Sequence, residues 1–267
     1  MKPVAFDYAR PSSVDEAVAM LAATPRAMAL AGGQTLGPML NLRLAQPALL
    51  VDITRIAELA TVGDDGDAVV IGATVTHAAI EDRRIDDPAN GFLARVASGI
   101  AHRAVRTRGT IGGSLAHADP AADWLACLTA LDAELIIAAP GGARRSLALS
   151  RFVQGAMHSD LAEGELIIAI RVPRFSRTAR FGFHKICRKT GEFAEAIGVV
   201  AHDPQRAGYR LVASTQAGAP LVLTSAGRPD PADLARRLIE AGFSGDGFEL
   251  DLTGAVLKRA LAAAEGA

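Results

Sequence analysis

Ala27-Met28-Ala29-Leu30-Ala31-Gly32-Gly33-Gln34-Thr35 and, about eighty residues later, Arg108-Gly109-Thr110-Ile111-Gly112-Gly113-Ser114 are the stretches on which the fold turns. Each reads as an apolar, strand-like run ended by a glycine pair and a small polar residue. Such a turn can aim several backbone N–H groups one way, and no Cβ keeps a ligand from the main chain. One pair by itself is equally a tight turn. Two on one modest chain suggest an anion held from both sides, and the diphosphate of a dinucleotide is the matching chemistry.

The surroundings of the second pair strengthen this reading. Arg103, Arg106 and Arg108 precede it, Ser114 follows it, and Asp123 comes nine residues after Ser114. A carboxylate beside an anion cradle can accept from ribose hydroxyls. The alternative for Asp123 is stabilisation of a helix start. The Rossmann fingerprint does not fit: the first spacing is Gly32-Gly33-x-x-x-Gly37, although Asp52 stands nineteen residues after Gly33, where that motif wants an acid. No G-K-[ST] follows either pair, which excludes a P-loop.

The 267 residues suffice for two or three small domains. Half are hydrophobic, only 4% are aromatic, and the formal net charge is −1, which gives no nucleic-acid or polybasic membrane footprint. Cys127 and Cys187 form no C-x-x-C, so no iron–sulfur or zinc cluster is read here, and no metal ligand is assigned. The start of the chain, Met1 to Asp7, has no signal-like apolar region, and no run approaches a membrane span. A cytoplasmic protein is the expectation.

Ser13-Val14-Asp15-Glu16 reads as a capping box before a helix to about Ala23, with Val14, Ala17, Val18 and Leu21 on one face. Strands are expected at 27–31, 49–53, 68–73, 134–139 and 165–172, with helical stretches near 36–42, 76–83 and 90–102. Asp119-Pro120 reads as an N-cap and first helical residue, leading to a face of Trp124, Leu125, Leu128 and Leu131. Pro173 and the basic run 174–180 mark the expected boundary. Beyond it come strands at 182–188, 194–202 and 209–215, then helices at 231–241 and 252–264.

Taken together these segments resemble the flavoprotein subunits of the molybdenum hydroxylases, a group that includes the medium subunit of aerobic carbon monoxide dehydrogenase and the FAD domain of xanthine dehydrogenase. The likeness lies in Ala31-Gly32-Gly33-Gln34-Thr35-Leu36-Gly37-Pro38-Met39 with Arg43-Leu44-Ala45, and in Thr110-Ile111-Gly112-Gly113-Ser114 through Asp119-Pro120-Ala121-Ala122-Asp123. Val70 to Thr76, Gly164 to Pro173 and Lys185 to Lys189 also fit. The resemblance implies an α+β, two-subdomain FAD-binding fold of the vanillyl-alcohol-oxidase/PCMH type at 1–56 and 57–173, followed by a small α+β domain at 178–267.

It further implies that Ala31, Gly32, Gly33, Gln34, Thr35 and Leu36 embrace a non-covalent FAD diphosphate together with Thr110, Gly112, Gly113 and Ser114. In the same terms Asp123 meets the ribose, Ile100, Ala101 and Ile167 line the flavin, and Lys185 lies by its ring. For Lys185 the plain alternative is a salt-bridge lysine. His117 lies within the second motif, and His184 reads as structural. Ser114 stands where the family usually has asparagine, Phe193 where a tyrosine is common, and the C-terminal domain looks short.

The resemblance assigns the molybdenum cofactor to a large partner subunit and [2Fe-2S] clusters to a small one. This chain then passes electrons to an external acceptor and carries no catalytic residue of the hydroxylation. The arginine-rich segments 103–108 and 174–180 are either docking faces or solvated surface. The rival readings are a stand-alone flavoprotein oxidoreductase and a nucleotide-binding module without redox activity.

Overall fold

The computed structural model describes residues 2–206, 208–216 and 218–266. It begins with β1 (Asp7–Ala9), α1 (Val14–Ala23), β2 (Met28–Leu30), α2 (Leu36–Asn41) and β3 (Leu49–Asp52). β3 lies between β1 and β2 and runs parallel to both. α1 starts at Ser13, whose side chain accepts the Glu16 amide. The reciprocal half of the capping box is displaced by one residue: the Glu16 carboxylate takes the N–H and hydroxyl of Ser12. Val14, Ala17, Val18 and Leu21 are the buried face, packed with Val51, Ile53, Ile56 and Leu59.

The middle of the chain is β4 (Val62–Asp64), β5 (Ala68–Gly72), α3 (His77–Glu81), α4 (Phe92–Ser98), α5 (Arg103–Arg106), α6 (Ile111–His117), α7 (Asp123–Ala130), β6 (Glu134–Ala138), β7 (Arg144–Ala148), α8 (Leu149–Phe152), β8 (Val153–Gly155), β9 (His158–Ser159) and β10 (Leu166–Pro173). β8 and β9 form a small hairpin, and the larger strands form an antiparallel sheet in the order β4-β5-β10-β6-β7. In β10 the register slips between Ile167 and Ala169. This bulge leaves the Ile168 carbonyl to accept the Ala73 amide at 2.9 Å, just beyond the end of β5. It also places Ile167 in the main core and Ile168 in the α1 core, so β10 joins the two.

Two local expectations change here. The second glycine pair does not end a strand: Gly112 and Gly113 lie in the first turn of α6, capped by Thr110, whose hydroxyl accepts the Gly113 amide at 3.1 Å. Asp119-Pro120 does not start a helix either. The Ala122 amide reaches the Asp119 carbonyl and the Ala121 amide reaches the Asp119 carboxylate, making a turn, and α7 begins at Asp123. Asp followed by Pro favours a β-turn as strongly as a helix start, and the chain takes the turn.

The remainder is β11 (Arg180–Ile186), β12 (Ala196–His202), β13 (Tyr209–Thr215), β14 (Leu221–Ser225), α9 (Leu234–Glu240) and α10 (Gly247–Glu265), the strands forming an antiparallel meander. Period-two alternation gives it two apolar faces. Ile197, Val199, Ala201 and Val212 enter the main core with Trp124 and Leu128 of α7. Val200, Leu211, Ala213 and Leu223 face Leu234, Leu238, Leu257 and Leu261 of α9 and α10. α10 starts earlier than its apolar periodicity suggests, because Asp246 and Glu249 form a complete capping box.

The expected boundary at 174–180 is thus crossed by a continuous core. Two of its three arginines have partners inside the chain: Arg174 pairs with Asp64 and Asp86, and Arg180 donates to the Glu265 carbonyl. The fold is α+β throughout. Among the described residues no helix is long and apolar enough to cross a membrane.

Candidate functional site

Gly32 follows β2, and its backbone lies directly on the approach to α6. A Cβ there would fall 2.0 Å from the Arg108 carbonyl oxygen and 2.9 Å from the Gly109 Cα. A Cβ on Gly113 would be 3.8 Å from that of Ala31. The two glycine segments therefore touch. Gly33 has φ +68°, a left-handed value that glycine adopts without strain. It turns the chain into α2, where the Gly37 amide closes on the Gly33 carbonyl and Gln34 Nε2 donates to the Gly32 carbonyl. Among the described residues, the amides of Gly32, Gly33, Gln34, Thr35 and Leu36 find no internal acceptor.

The second segment differs from this. Ile111 donates to the Val75 carbonyl, Gly112 to Ala73, and Gly113 and Ser114 to the hydroxyl and carbonyl of Thr110. Its amides are already used, contrary to the sequence reading. Gly112 lacks a side chain for an internal reason: a Cβ would lie 2.5 Å from that of Ala73. What this segment still offers is the hydroxyl of Ser114, the hydroxyl proton of Thr110 and the exposed backbone of Gly113. Between Ala73 and Val75, whose carbonyls take two of these amides, the Thr74 hydroxyl is buried without a partner.

Lys185, on β11, and Asp123, at the start of α7, meet: Nζ donates to Oδ1 at 2.7 Å, with the side chains 13% and 10% exposed. The same Nζ donates to the Gly99 carbonyl at 2.9 Å. Burial pushes the Asp123 carboxyl above its ordinary range, and the neighbouring ammonium opposes that push. Ile100 and Ala101 are half-buried in the turn after Gly99, whereas Ile167 is enclosed in the main core. The sequence thus named residues of two groupings, the paired glycine segments and the Lys185–Asp123–Gly99 contact.

His77, Glu81 and Asp82 escaped the sequence reading, which named some of their partners. His77 Nδ1 accepts from Trp124 Nε1 at 3.0 Å, and the His77 amide donates to the Gly109 carbonyl. Burial, reinforced by Arg106, lowers the His77 pKa to about 4, so at neutral pH the ring is an uncharged acceptor. Arg106 is largely buried against Glu81, while Arg103, about half exposed, pairs with Glu81 and Asp82 at the surface. Asp52, the acid at Rossmann-like spacing, is fully engaged by Tyr8, Arg10 and Thr54. Burial would raise its carboxyl, but these hydrogen bonds hold it well below the usual range. His184 contacts Arg259 at 3.2 Å, as a structural residue would.

Residues 4–175 match the family described as the FAD binding domain in molybdopterin dehydrogenase. The chain belongs to that family. It is 41% identical over 197 residues to the carbon monoxide dehydrogenase medium chain of Hydrogenophaga pseudoflava, covering 73% of this chain and 68% of that one. It is 36% identical over 221 residues to caffeine dehydrogenase subunit beta of Pseudomonas sp. (strain CBB1), covering 82% of this chain and 75% of that one. Among solved structures it is similar to reconstituted CO dehydrogenase from Oligotropha carboxidovorans, with TM-score 0.89 and 32% identity over 100% of this chain and 99% of that one. As a family member it is an FAD-binding subunit of the dehydrogenase type.

The residues present fit such a cofactor, with asymmetric donors. The first segment presents a row of main-chain amides without internal acceptors, suited to phosphate oxygens. The second presents side-chain hydroxyls on a rigid helical turn whose own amides are occupied.

Proposed function

We propose that this chain is the electron-transfer flavoprotein subunit of a heteromeric molybdenum hydroxylase. It takes electrons from [2Fe-2S] clusters on a small partner subunit, fed by a molybdenum cofactor on a large one, and delivers them to an external acceptor. The observation that carries the reading is the contact between the two glycine segments, which puts the free amides of Gly32 to Leu36 beside the hydroxyl-bearing turn of α6. The likeness to CO dehydrogenase medium chains supports the partners. The proposal includes a cytoplasmic location.

Bound FAD would supply the isoalloxazine ring that carries the electrons. The chain's residues bind and orient it. In this proposal Ala31 to Leu36 take the diphosphate with Thr110, Gly113 and Ser114, Gly112 serving only to let α6 pack on Ala73, and Asp123 offers its second carboxylate oxygen to the ribose. Ile100 and Ala101 give apolar surface, Ile167 backs them from the core, and Lys185 sets positive charge nearby, which favours an electron-rich ring. The first two subdomains, 1–56 and 57–173, hold the cofactor, and 178–267 supports it from behind.

Co-purification with the partner subunits tests this. The complex is expected to contain flavin, iron and molybdenum, with flavin lost when this chain is omitted. Turnover of a small molecule by the isolated chain would favour the stand-alone oxidoreductase instead. A bound nucleotide that never changes its visible spectrum on reduction would favour the non-redox module.

A further inference from the structure

The turn after α4 is held in an unusual way. Successive carbonyls of Gly99, Ile100 and Ala101 all accept from cationic side chains. Lys185 takes Gly99 at 2.9 Å, and Arg106 Nη1 takes Ile100 at 2.8 Å and Ala101 at 3.0 Å. The Arg106 side chain is only 11% exposed, and its Nε and Nη2 grip both oxygens of Glu81 at 2.8 and 2.9 Å. Arg103 backs the same carboxylate at 2.5 Å and ties Asp82 at 2.7 and 2.8 Å. α3 thereby anchors the arginine that shapes the turn.

The shape being held is strained. Ala101 has φ 44°, a left-handed conformation that a residue with a Cβ adopts only under strain. Such conformations persist where their surroundings over-determine them, and they concentrate at ligand clamps. The other side of the turn is pressed too: a Cβ on Gly191 would lie 2.7 Å from the His102 ring. The segment 99–102 is therefore gripped by α3 and α5 through Arg106, by β11 through Lys185 and by the loop after β11 through Gly191.

We propose that Arg106, oriented by Glu81, is a positioning residue that fixes the Gly99–Ala101 turn in the form that receives the flavin. This rests on the assignment of Ile100 and Ala101 to the cofactor made above. Arg106 acts through the two carbonyls of the turn that it holds. Only a planar fork can bridge two carbonyl oxygens and a carboxylate together, so lysine is not an equivalent.

The full-length chain is the test object, with Arg106→Gln, Arg106→Lys and Glu81→Gln as variants and Asp246→Ala as a control at the distant cap of α10. Each is titrated with FAD by fluorescence, the visible band of the bound flavin is recorded, and thermal stability is measured alongside. Arg106→Gln is expected to weaken FAD binding at least tenfold and to move the band toward that of free FAD. Arg106→Lys is expected to recover only part of this, and Glu81→Gln to shift both readouts less, in the same direction. Asp246→Ala is expected to lower the melting temperature while leaving both flavin readouts at wild-type values.

Wild-type affinity and band shape in Arg106→Gln would overturn the proposal. Should that variant fail to fold, the same result in Glu81→Gln and Arg106→Lys would overturn it. A wild-type chain that takes up no FAD under any condition would instead remove the functional reading on which the proposal stands.

Discussion

Lys185→Met isolates the value of the pair that joins the third sheet to α7. The substitution removes the ammonium 2.7 Å from Asp123 while preserving an unbranched apolar stem, and it leaves a carboxylate whose side chain is 10% exposed without its cation. Breaking one side of such a pair costs about 3–5 kcal/mol, and the small remaining exposure argues for the lower end. Loss of the hydrogen bond to the Gly99 carbonyl adds about 1 kcal/mol. At about 2–4 °C per kcal/mol for a chain of this size, the melting temperature should fall by roughly 10 °C at pH 7.5. The sign with pH follows from the direction of the Asp123 shift. Burial already raises its pKa in the folded state, and without Lys185 it rises further. A carboxyl with a raised folded pKa binds protons better folded than unfolded, so acid favours folding and the penalty grows as pH climbs through that pKa. Thermal melts of wild type and Lys185→Met from pH 5 to 8 should therefore diverge as pH rises, and adding Asp123→Asn should restore most of the loss. A penalty independent of pH, or a double variant no better than Lys185→Met, would refute the account.

Gly112→Ala should destabilise the chain by about 2 kcal/mol or more, because its Cβ would meet Ala73 at 2.5 Å. Gly254→Ala, inside α10 with nothing within 4 Å of the added Cβ, should leave stability unchanged or raise it by up to about 1 kcal/mol, and comparative denaturant melts of the FAD-free chain decide both. His77 lowers stability in acid: burial holds its pKa at about 4 in the folded chain against about 6.5 for a free imidazole, so the unfolded chain binds the extra proton in that window. Stability should fall by about 3 kcal/mol between pH 6.5 and 4 from this residue alone, and urea titrations of His77→Gln should show a flatter limb. Asp246→Ala should cost about 1 kcal/mol through loss of the α10 capping box, read as a lower urea midpoint at unchanged slope.

The parts of the fold written in contiguous residues were legible. α1 follows from Ser13 and the spacing of Val14, Ala17, Val18 and Leu21, and β3, β5 and β10 follow from their apolar runs. α5, β7 and β14 were missed: they are short, and their boundaries depend on what they pack against. The site divided along the same line. The glycine segments, Asp123 and Lys185 were visible because they sit in a motif. Arg106 was named only as charge ahead of the second pair and Glu81 not at all, because their pairing depends on how α3 packs beside α5. The only local signal was a basic run, and charge alone gave no indication that its Arg106 points inward.

The structure also changes what the glycines mean. Read locally, a missing Cβ invites a ligand; in space, Gly32 and Gly112 first admit other parts of the same backbone, the Arg108 carbonyl and Ala73. The Gly32 approach joins the two segments and the Gly112 approach seats α6 on Ala73, so the spacing between the donors of the first and the hydroxyls of the second is fixed by folding. That division makes Ser114 more consequential than its conservative appearance suggests. With the α6 amides occupied by Val75, Ala73 and Thr110, side chains must supply what this turn gives to a ligand, and serine reaches less far than asparagine. Asp123 is constrained similarly: Oδ1 is committed to Lys185, so a ribose hydroxyl can use only the other oxygen. A Ser114→Asn variant should therefore bind FAD at least as tightly as wild type, and a fall in affinity would mean that the α6 turn does not face the diphosphate.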